Sequence, residues 1–270
     1  MSVSVPPART VLLASASPEA EAVFFRNLFL PTGAYKTTFP GRFHDLDAHV
    51  CALLEGRGSV RALDIGVSSG VTTLEWIDAL EARGLSCQMT AADLVVHGRL
   101  TQTPLLGDVL TDGRGRFLQL AGPLGVRMRP YRQGVFAAAT AALDLLARQA
   151  SAGGERGREV QLVTPRLTER ANCEIVEHDA LNERPEWRGR FDVARAANLL
   201  NRVYFSDDQI RQAIGLLRGY LAPGGLLVLC RTDIETRVNH ASILRLEPTG
   251  KLSVAERLGE GSEIEALALS

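Results

Sequence analysis

The chain has 270 residues, an apolar share of 46%, a charged share of 23% and a formal net charge of −1 at pH 7. That length supports one large domain with a deep core, and the near-zero charge excludes a general attraction to nucleic acid or to an anionic membrane. No apolar run approaches the roughly 20 residues that a bilayer span requires. Residues 1–9 lack the basic-then-apolar order of a signal peptide, so the expected location is cytoplasmic. Cys51, Cys87, Cys173 and Cys230 form no C-x-x-C pair. They read as reduced thiols, with neither a disulfide framework nor a zinc site.

Residues 1–16 are expected to form a loose arm. Ser17-Pro18-Glu19 predicts a helix start, with serine as the cap, proline in the first turn and an acid beside the positive end. Phe24, Phe25, Leu28 and Phe29 continue it as an apolar stripe that Pro31-Thr32-Gly33 ends. A second helix is expected over about 46–54. The stretch between them carries Tyr35, Lys36, Phe39, Arg42, Phe43 and His44 and reads as a surface loop with aromatic anchors. Residues 60–65 are a short buried strand. Gly66 and Gly70 allow a tight turn and a close ligand approach, and a helix from about 72 to 82 aims its first N–H groups at that turn. A second strand, 87–94, ends at Asp93.

The long connection 95–152 contains a hairpin signal at Asp112-Gly113 between apolar flanks. A helix is expected over about 134–149. Arg114, Arg116, Arg127, Arg129 and Arg132 make the connection locally basic. They read as a solvated face, or as an anion-receptive wall or homodimer contact. Residues 151–157 are a flexible break. Short strands follow at 160–163 and 173–181, the second carrying His178-Asp179-Ala180-Leu181 at its end. An apolar strand from Phe191 ends near Arg195-Ala196 and opens towards Asn198. Ser206 caps a helix whose Ile210, Ala213, Ile214, Leu217 and Leu221 keep helical spacing. Leu221-Ala222-Pro223-Gly224-Gly225 turns into the next strand, and two more strands flank Pro248-Thr249-Gly250.

Two stretches carry a resemblance. Asp64-Ile65-Gly66-x-x-x-Gly70 is similar to motif I of the class I S-adenosylmethionine (SAM) methyltransferases. The rival dinucleotide fingerprint G-x-G-x-x-G fails, because position 68 is Ser and position 71 is Val. The segment from Phe191 through Asn198 to Phe205 resembles motif IV, in wording close to the chemotaxis-receptor methyltransferases. The L-x-P-G-G turn follows in the order that the family uses.

The resemblance implies an α/β fold. Its centre would be a Rossmann-like seven-stranded, mostly parallel sheet with an antiparallel C-terminal hairpin and helices on both faces. Residues 1–58 would be an N-terminal helical cap or arm. Residues 59–270 would be the SAM-binding domain, with an insertion at about 95–152. The cofactor implied is S-adenosyl-L-methionine. Asp64, Gly66, Ser68, Ser69 and Gly70 would meet its methionine end. Asp93, with Leu94 beside it, would hold the ribose, because a carboxylate at the end of strand two can accept from both hydroxyls. Asp179 and Ala180 would read the adenine. Asn198 and Asn201 would stand nearest the methyl path, with an ordinary helix-start residue as the alternative reading of Asn201. His240 is the candidate general base, since imidazole titrates near neutrality.

The reaction expected is direct methyl displacement to a small-molecule N, O or C acceptor, enclosed by the cap and the insertion. No nucleic-acid or membrane partner is expected. A protein or peptide side chain is the alternative acceptor. A nicotinamide-dependent oxidoreductase and a non-catalytic SAM-fold binding protein are the other classes left open.

Overall fold

The computed structural model describes residues 4–14, 16–104, 106–129, 137–152, 157–233 and 235–270. Helices α1 (Ala8–Leu13), α2 (Pro18–Asn27) and α3 (His44–Leu53) come first. Strand β1 (Ser59–Ile65), helix α4 (Val71–Ala82) and strand β2 (Ser86–Asp93) follow. Next come β3 (His97–Thr103), β4 (Gly107–Asp112), β5 (Phe117–Gly122), β6 (Gly125–Met128), α5 (Ala137–Ala152), β7 (Gly157–Gln161) and α6 (Pro165–Thr168). The last third holds β8 (Cys173–Glu177), β9 (Phe191–Ala197), α7 (Asp207–Tyr220), β10 (Leu221–Thr232), β11 (Asn239–Leu246), β12 (Leu252–Leu258) and α8 (Glu265–Leu269).

These elements divide into two compact units. The larger comprises Pro40–Val67, Thr72–Leu94 and Ala171–Ser270, and the smaller comprises Met1–Phe39, Ser68–Val71 and Val95–Arg170.

The larger unit is built on a seven-stranded sheet in the order β12-β11-β10-β9-β1-β2-β8. The pairs from β8 to β10 are parallel, and β11 and β12 are added antiparallel. The sheet is therefore mixed and mostly parallel, with the two antiparallel strands at its C-terminal edge. Apolar residues of the strands, among them Leu63, Ala194, Leu227 and Leu229, share one core with Ile210, Ala213, Ile214 and Leu217 of α7. The 3–4 spacing of the α7 residues puts them on one face of the helix. Its start is a capping box: Ser206 Oγ accepts from the Gln209 N–H, and Gln209 Oε1 accepts from the Ser206 N–H. On β11, Asn239 bonds Asp45 of α3 at 2.7 Å, while Ser242 bonds Glu265 of α8 at 2.5 Å. Residues an odd number apart on a strand point to opposite faces, so α3 and α8 lie on the two sides of the sheet.

The smaller unit contains an antiparallel five-stranded sheet in the order β6-β5-β4-β3-β7. The Asp112-Gly113 hairpin is its β4–β5 connection, where Asp112 Oδ1 accepts from the N–H groups of Arg114 and Arg116. Residues 8–13 are helical, not a loose arm. Ala8, Val11 and Leu12 recur at helical spacing and bury against Phe24, Leu110, Leu118 and Val160. Two arginines of the basic stretch are paired with acids, Arg116 with Asp112 at 2.7 Å and Arg129 with Asp144 at 2.8 Å. Arg132, the expected helix start at 134–136 and residues 153–156 of the expected break lie outside the described residues.

Cys51, Cys87 and Cys230 are buried free thiols, and Cys173 is partly exposed. Among the described residues no helix is long and apolar enough to cross a membrane.

Candidate functional site

In the larger unit the parallel strands run from β1 outward to β2 and β8, and then from β9 to β10 on the other side. The order of winding reverses between β1 and β9. In open α/β sheets that reversal opens a crevice at the carboxyl ends of the strands, where ligands bind.

Four strand ends deliver sequence-predicted residues to this edge. After β1, the N–H groups of Gly66 and Val67 both donate to the carbonyl of Ala92, at 2.7 and 3.2 Å. Gly66 has φ +81°, and a Cβ there would stand 3.1 Å from the Leu199 side chain. Asp93 ends β2, and its carbonyl accepts from the His178 N–H at 2.9 Å. Leu94 follows it, a large apolar side chain that is 47% exposed. After β8, Asp179 Oδ1 accepts from the Leu181 N–H at 3.0 Å and holds the turn that carries Ala180. After β9, Asn198 adopts φ +57°, a left-handed conformation that asparagine tolerates better than most residues.

The second half of the glycine turn, residues 68–71, groups with the smaller unit. Ser68 is left-handed at φ +56°. The Ser69 carbonyl accepts from the Thr164 N–H at 2.7 Å. A Cβ on Gly70, at φ +77°, would be strained by the backbone and would lie 2.6 Å from Leu167 Cδ2, which would have to move. Lys36 Nζ donates to the Ser68 carbonyl at 2.9 Å and is 1% exposed as a residue.

Asp64 is fully engaged by the protein. Arg195 donates to it twice, Nε to Oδ1 at 3.0 Å and Nη2 to Oδ2 at 2.6 Å, and Thr73 Oγ1 adds a bond at 2.7 Å. The same guanidinium donates from Nη1 to Asp47 of α3 at 2.7 Å and from Nη2 to the Thr72 carbonyl at 3.3 Å. It lies 4.2 Å from the Trp76 ring centroid and 5.2 Å from that of Phe43. Both carboxylates raise the Arg195 pKa against its burial. One cation then faces two buried acids, and a proton makes up the difference. Burial pushes the Asp47 carboxyl up to about 7 against the pull of Arg195, with Asp64, Glu75 and Asp45 adding to the rise. Asp64 thus fixes the end of β1 to β9 and α3.

Asn198 is likewise bound into the protein. Its Oδ1 accepts from the Thr232 N–H at 2.8 Å and its Nδ2 donates to Thr232 Oγ1 at 3.0 Å. Thr232 Oγ1 also receives Arg42 Nε at 3.1 Å and donates to Asn239 Oδ1 at 2.8 Å. Asn201 spans its own turn, with Nδ2 on the Leu199 carbonyl at 3.1 Å and Oδ1 under the Val203 N–H at 3.0 Å. His240 Nδ1 accepts from the Glu260 N–H at 3.0 Å. The neutral ring therefore carries its proton on Nε2, which makes Nε2 a donor. His178 packs edge-on against Trp187 with centroids 4.7 Å apart. Burial and then Arg184 lower its pKa.

Sequence reasoning passed over Arg195, Asp47 and Thr232. Arg195 had a signal: a charge inside an apolar strand demands buried partners. Asp47 and Thr232 had none, since each is an ordinary polar residue beside an element's end.

No protein-family model matches the chain, and no curated protein matches it. Solved structures resemble it weakly. The N-methyltransferase NodS from Bradyrhizobium japonicum, in complex with S-adenosyl-L-homocysteine (SAH), is 18% identical with a TM-score of 0.36, over 73% of this chain and 65% of that one. The 1,6-didemethyltoxoflavin-N1-methyltransferase of Burkholderia thailandensis, with its substrate and SAH, is 14% identical with a TM-score of 0.36, over 84% and 64%. The CMeT domain of the citrinin polyketide synthase is 14% identical with a TM-score of 0.32, over 64% and 28%. The chain thus spans less than two thirds of the length of each. The functional reading below rests on the strand-end residues, not on these likenesses.

Proposed function

We propose that the chain is a SAM-dependent methyltransferase acting on a small-molecule acceptor through N, O or C. The observation that carries this reading is the order of residues along one sheet edge. A glycine turn follows β1, an acid ends β2, an acid with Ala180 follows β8, and Asn198 follows β9 beside the switch point.

The residues fit the cofactor chemically. Gly66 exposes bare backbone, Asp93 supplies a carboxylate where ribose hydroxyls need acceptors, and exposed Leu94 supplies an apolar surface beside it. Asp179 and Ala180 would read the adenine edge. Bound SAM supplies an electrophilic methyl on a sulfonium leaving group. The chain's own task is then to align the acceptor and exclude water. Asn198 and Thr232 fix the end of β9 against β10, which shapes the wall nearest the switch point. Asn201 and His240, both engaged in backbone bonds, take shaping roles in this reading, with no proton transfer assigned to either.

Calorimetric titration with SAH, beside reduced nicotinamide dinucleotide, tests the reading. Micromolar SAH binding with no nicotinamide binding is the expected result. Nicotinamide binding alone would turn the reading to an oxidoreductase. SAH binding without transfer of labelled methyl to any small-molecule or peptide extract would turn it to a binding protein.

A further inference from the structure

We propose that the turn carrying Val203 and Tyr204 selects the methyl acceptor, and that this acceptor is a small molecule with a flat, uncharged apolar body; this rests on the methyltransferase reading above. Among the described residues of the larger unit, five large apolar side chains are exposed: Leu94, Val203, Tyr204, Val238 and Leu269. Single exposed apolar residues are ordinary on a protein surface. Here four of the five stand in loops that leave the carboxyl ends of parallel strands, Leu94 after β2, Val203 and Tyr204 after β9, and Val238 after β10. Apolar surface kept to one edge marks a ligand groove, and that edge is where an open α/β sheet binds its ligands. The reading above gives the β2 side to the cofactor, which leaves the β9 and β10 loops to the acceptor.

The turn after β9 is built to present its two side chains. Buried Asn201 holds it from inside. Asn201 Oδ1 accepts from the Val203 N–H at 3.0 Å, and the Asn201 carbonyl accepts from the N–H groups of Tyr204 and Phe205 at 3.2 and 3.0 Å. Leu199 lies against Gly66, which ties the turn to the end of β1. Val203 and Tyr204 nonetheless remain 74% and 66% exposed. Arg202, the one charged residue between 198 and 206, is engaged by Asp207 at 2.9 Å and by the Glu263 carbonyl at 3.3 Å. The surface on offer is therefore apolar, and against it an ionic group would shed water without gaining a partner. A tyrosine ring has few torsions to freeze on contact, and a turn already fixed loses little more on binding. Its flat face suits a flat partner, since ring pairs gain beyond the area they bury.

The test titrates the full chain by calorimetry, with and without saturating SAH, using two uncharged hydroxyl compounds: 2-naphthol, which is flat and apolar, and myo-inositol, which is neither. Wild-type protein is expected to bind 2-naphthol at least about tenfold more tightly than myo-inositol. Tyr204→Ser is expected to weaken 2-naphthol by about fivefold or more, and Val203→Ser by about threefold, with SAH affinity unchanged in both. Leu269→Ser, at the exposed apolar residue outside these loops, is expected to change nothing. Equal affinity for the two compounds overturns the proposal. So does a folded Tyr204→Ser that binds 2-naphthol as wild type does, or an equal loss in Leu269→Ser. Binding of 2-naphthol through Tyr204 by a protein that takes no SAH would overturn the methyltransferase reading and leave the apolar site standing. Binding of SAH without 2-naphthol would do the reverse.

Discussion

Asp64 on β1 and Arg195 on β9 are direct register partners in neighbouring parallel strands, and they are joined by two hydrogen bonds of 3.0 and 2.6 Å. The first acid of the glycine motif is therefore spent on its neighbouring strand. Breaking a buried pair from one side leaves the other charge stranded. Arg195→Met is expected to destabilise the fold by about 3–5 kcal/mol, read by urea unfolding. Arg195→Lys is expected to restore little, because an ammonium cannot meet Asp64, Asp47 and the Thr72 carbonyl in one plane. Wild-type stability in Arg195→Met would refute this account.

Asp47 gives stability a pH dependence. Its carboxyl is pushed from an ordinary 3.8 up to about 7. Between those values the folded state holds a proton that the unfolded state releases. The contribution is complete below pH 3.8 and is lost as pH rises through about 7. The groups around it are Arg195, Asp64, Asp45 and Glu75. Stability should fall from pH 5 to 7, by at most ~1.4 kcal/mol per pH unit from this group. Asp47→Asn should flatten that slope. Parallel wild-type and variant profiles in urea unfolding would count against it.

Gly66 tests the turn. At φ +81° an alanine costs about 1–2 kcal/mol, and its Cβ presses on Leu199 at 3.1 Å. Gly66→Ala is expected to remain folded while losing about tenfold or more in SAH affinity. Unchanged affinity by calorimetry would remove the turn from the site.

Asp93 separates the ribose end from the amino-acid end. Asp93→Asn should weaken SAH and 5′-methylthioadenosine by the same factor, about tenfold, since both carry the ribose. The melting temperature of the unliganded protein serves as the control. A selective loss of SAH alone would assign Asp93 elsewhere.

His240 reports on proton transfer. With Nδ1 held by the Glu260 N–H, His240→Gln is expected to keep turnover within about tenfold and to leave its pH profile in place. Loss of an acid limb from that profile would restore His240 as a base.

Much of the larger unit was legible because its signals are local. Ser206 announces the start of α7, and the glycines announce the turn after β1. Ser17 announced α2 equally well, accepting from the Ala20 N–H at 3.3 Å. The five-stranded sheet was legible only at the Asp112-Gly113 hairpin and at the strand expected over 160–163, which overlaps β7. In β3, His97-Gly98-Arg99-Leu100-Thr101-Gln102-Thr103, a single large apolar residue breaks the alternation that marks a strand. Its pairing with β7, 60 residues on, leaves no trace in either segment. At the site, backbone turns were readable, whereas side-chain partners were not. Asn198 and Asp64 looked available in sequence because Thr232 and Arg195 approach them only through the register of the sheet.

The Arg195 fork binds the fates of three positions. A lineage that loses Asp64 strands the guanidinium in the core, one that loses the guanidinium strands the Asp64 carboxylate, and one that loses Asp47 leaves the Arg195 Nη1 donor without its acceptor. Residues 47, 64 and 195 should therefore be inherited as a block in any relative that keeps this architecture, exchanged together for apolar side chains or not exchanged at all.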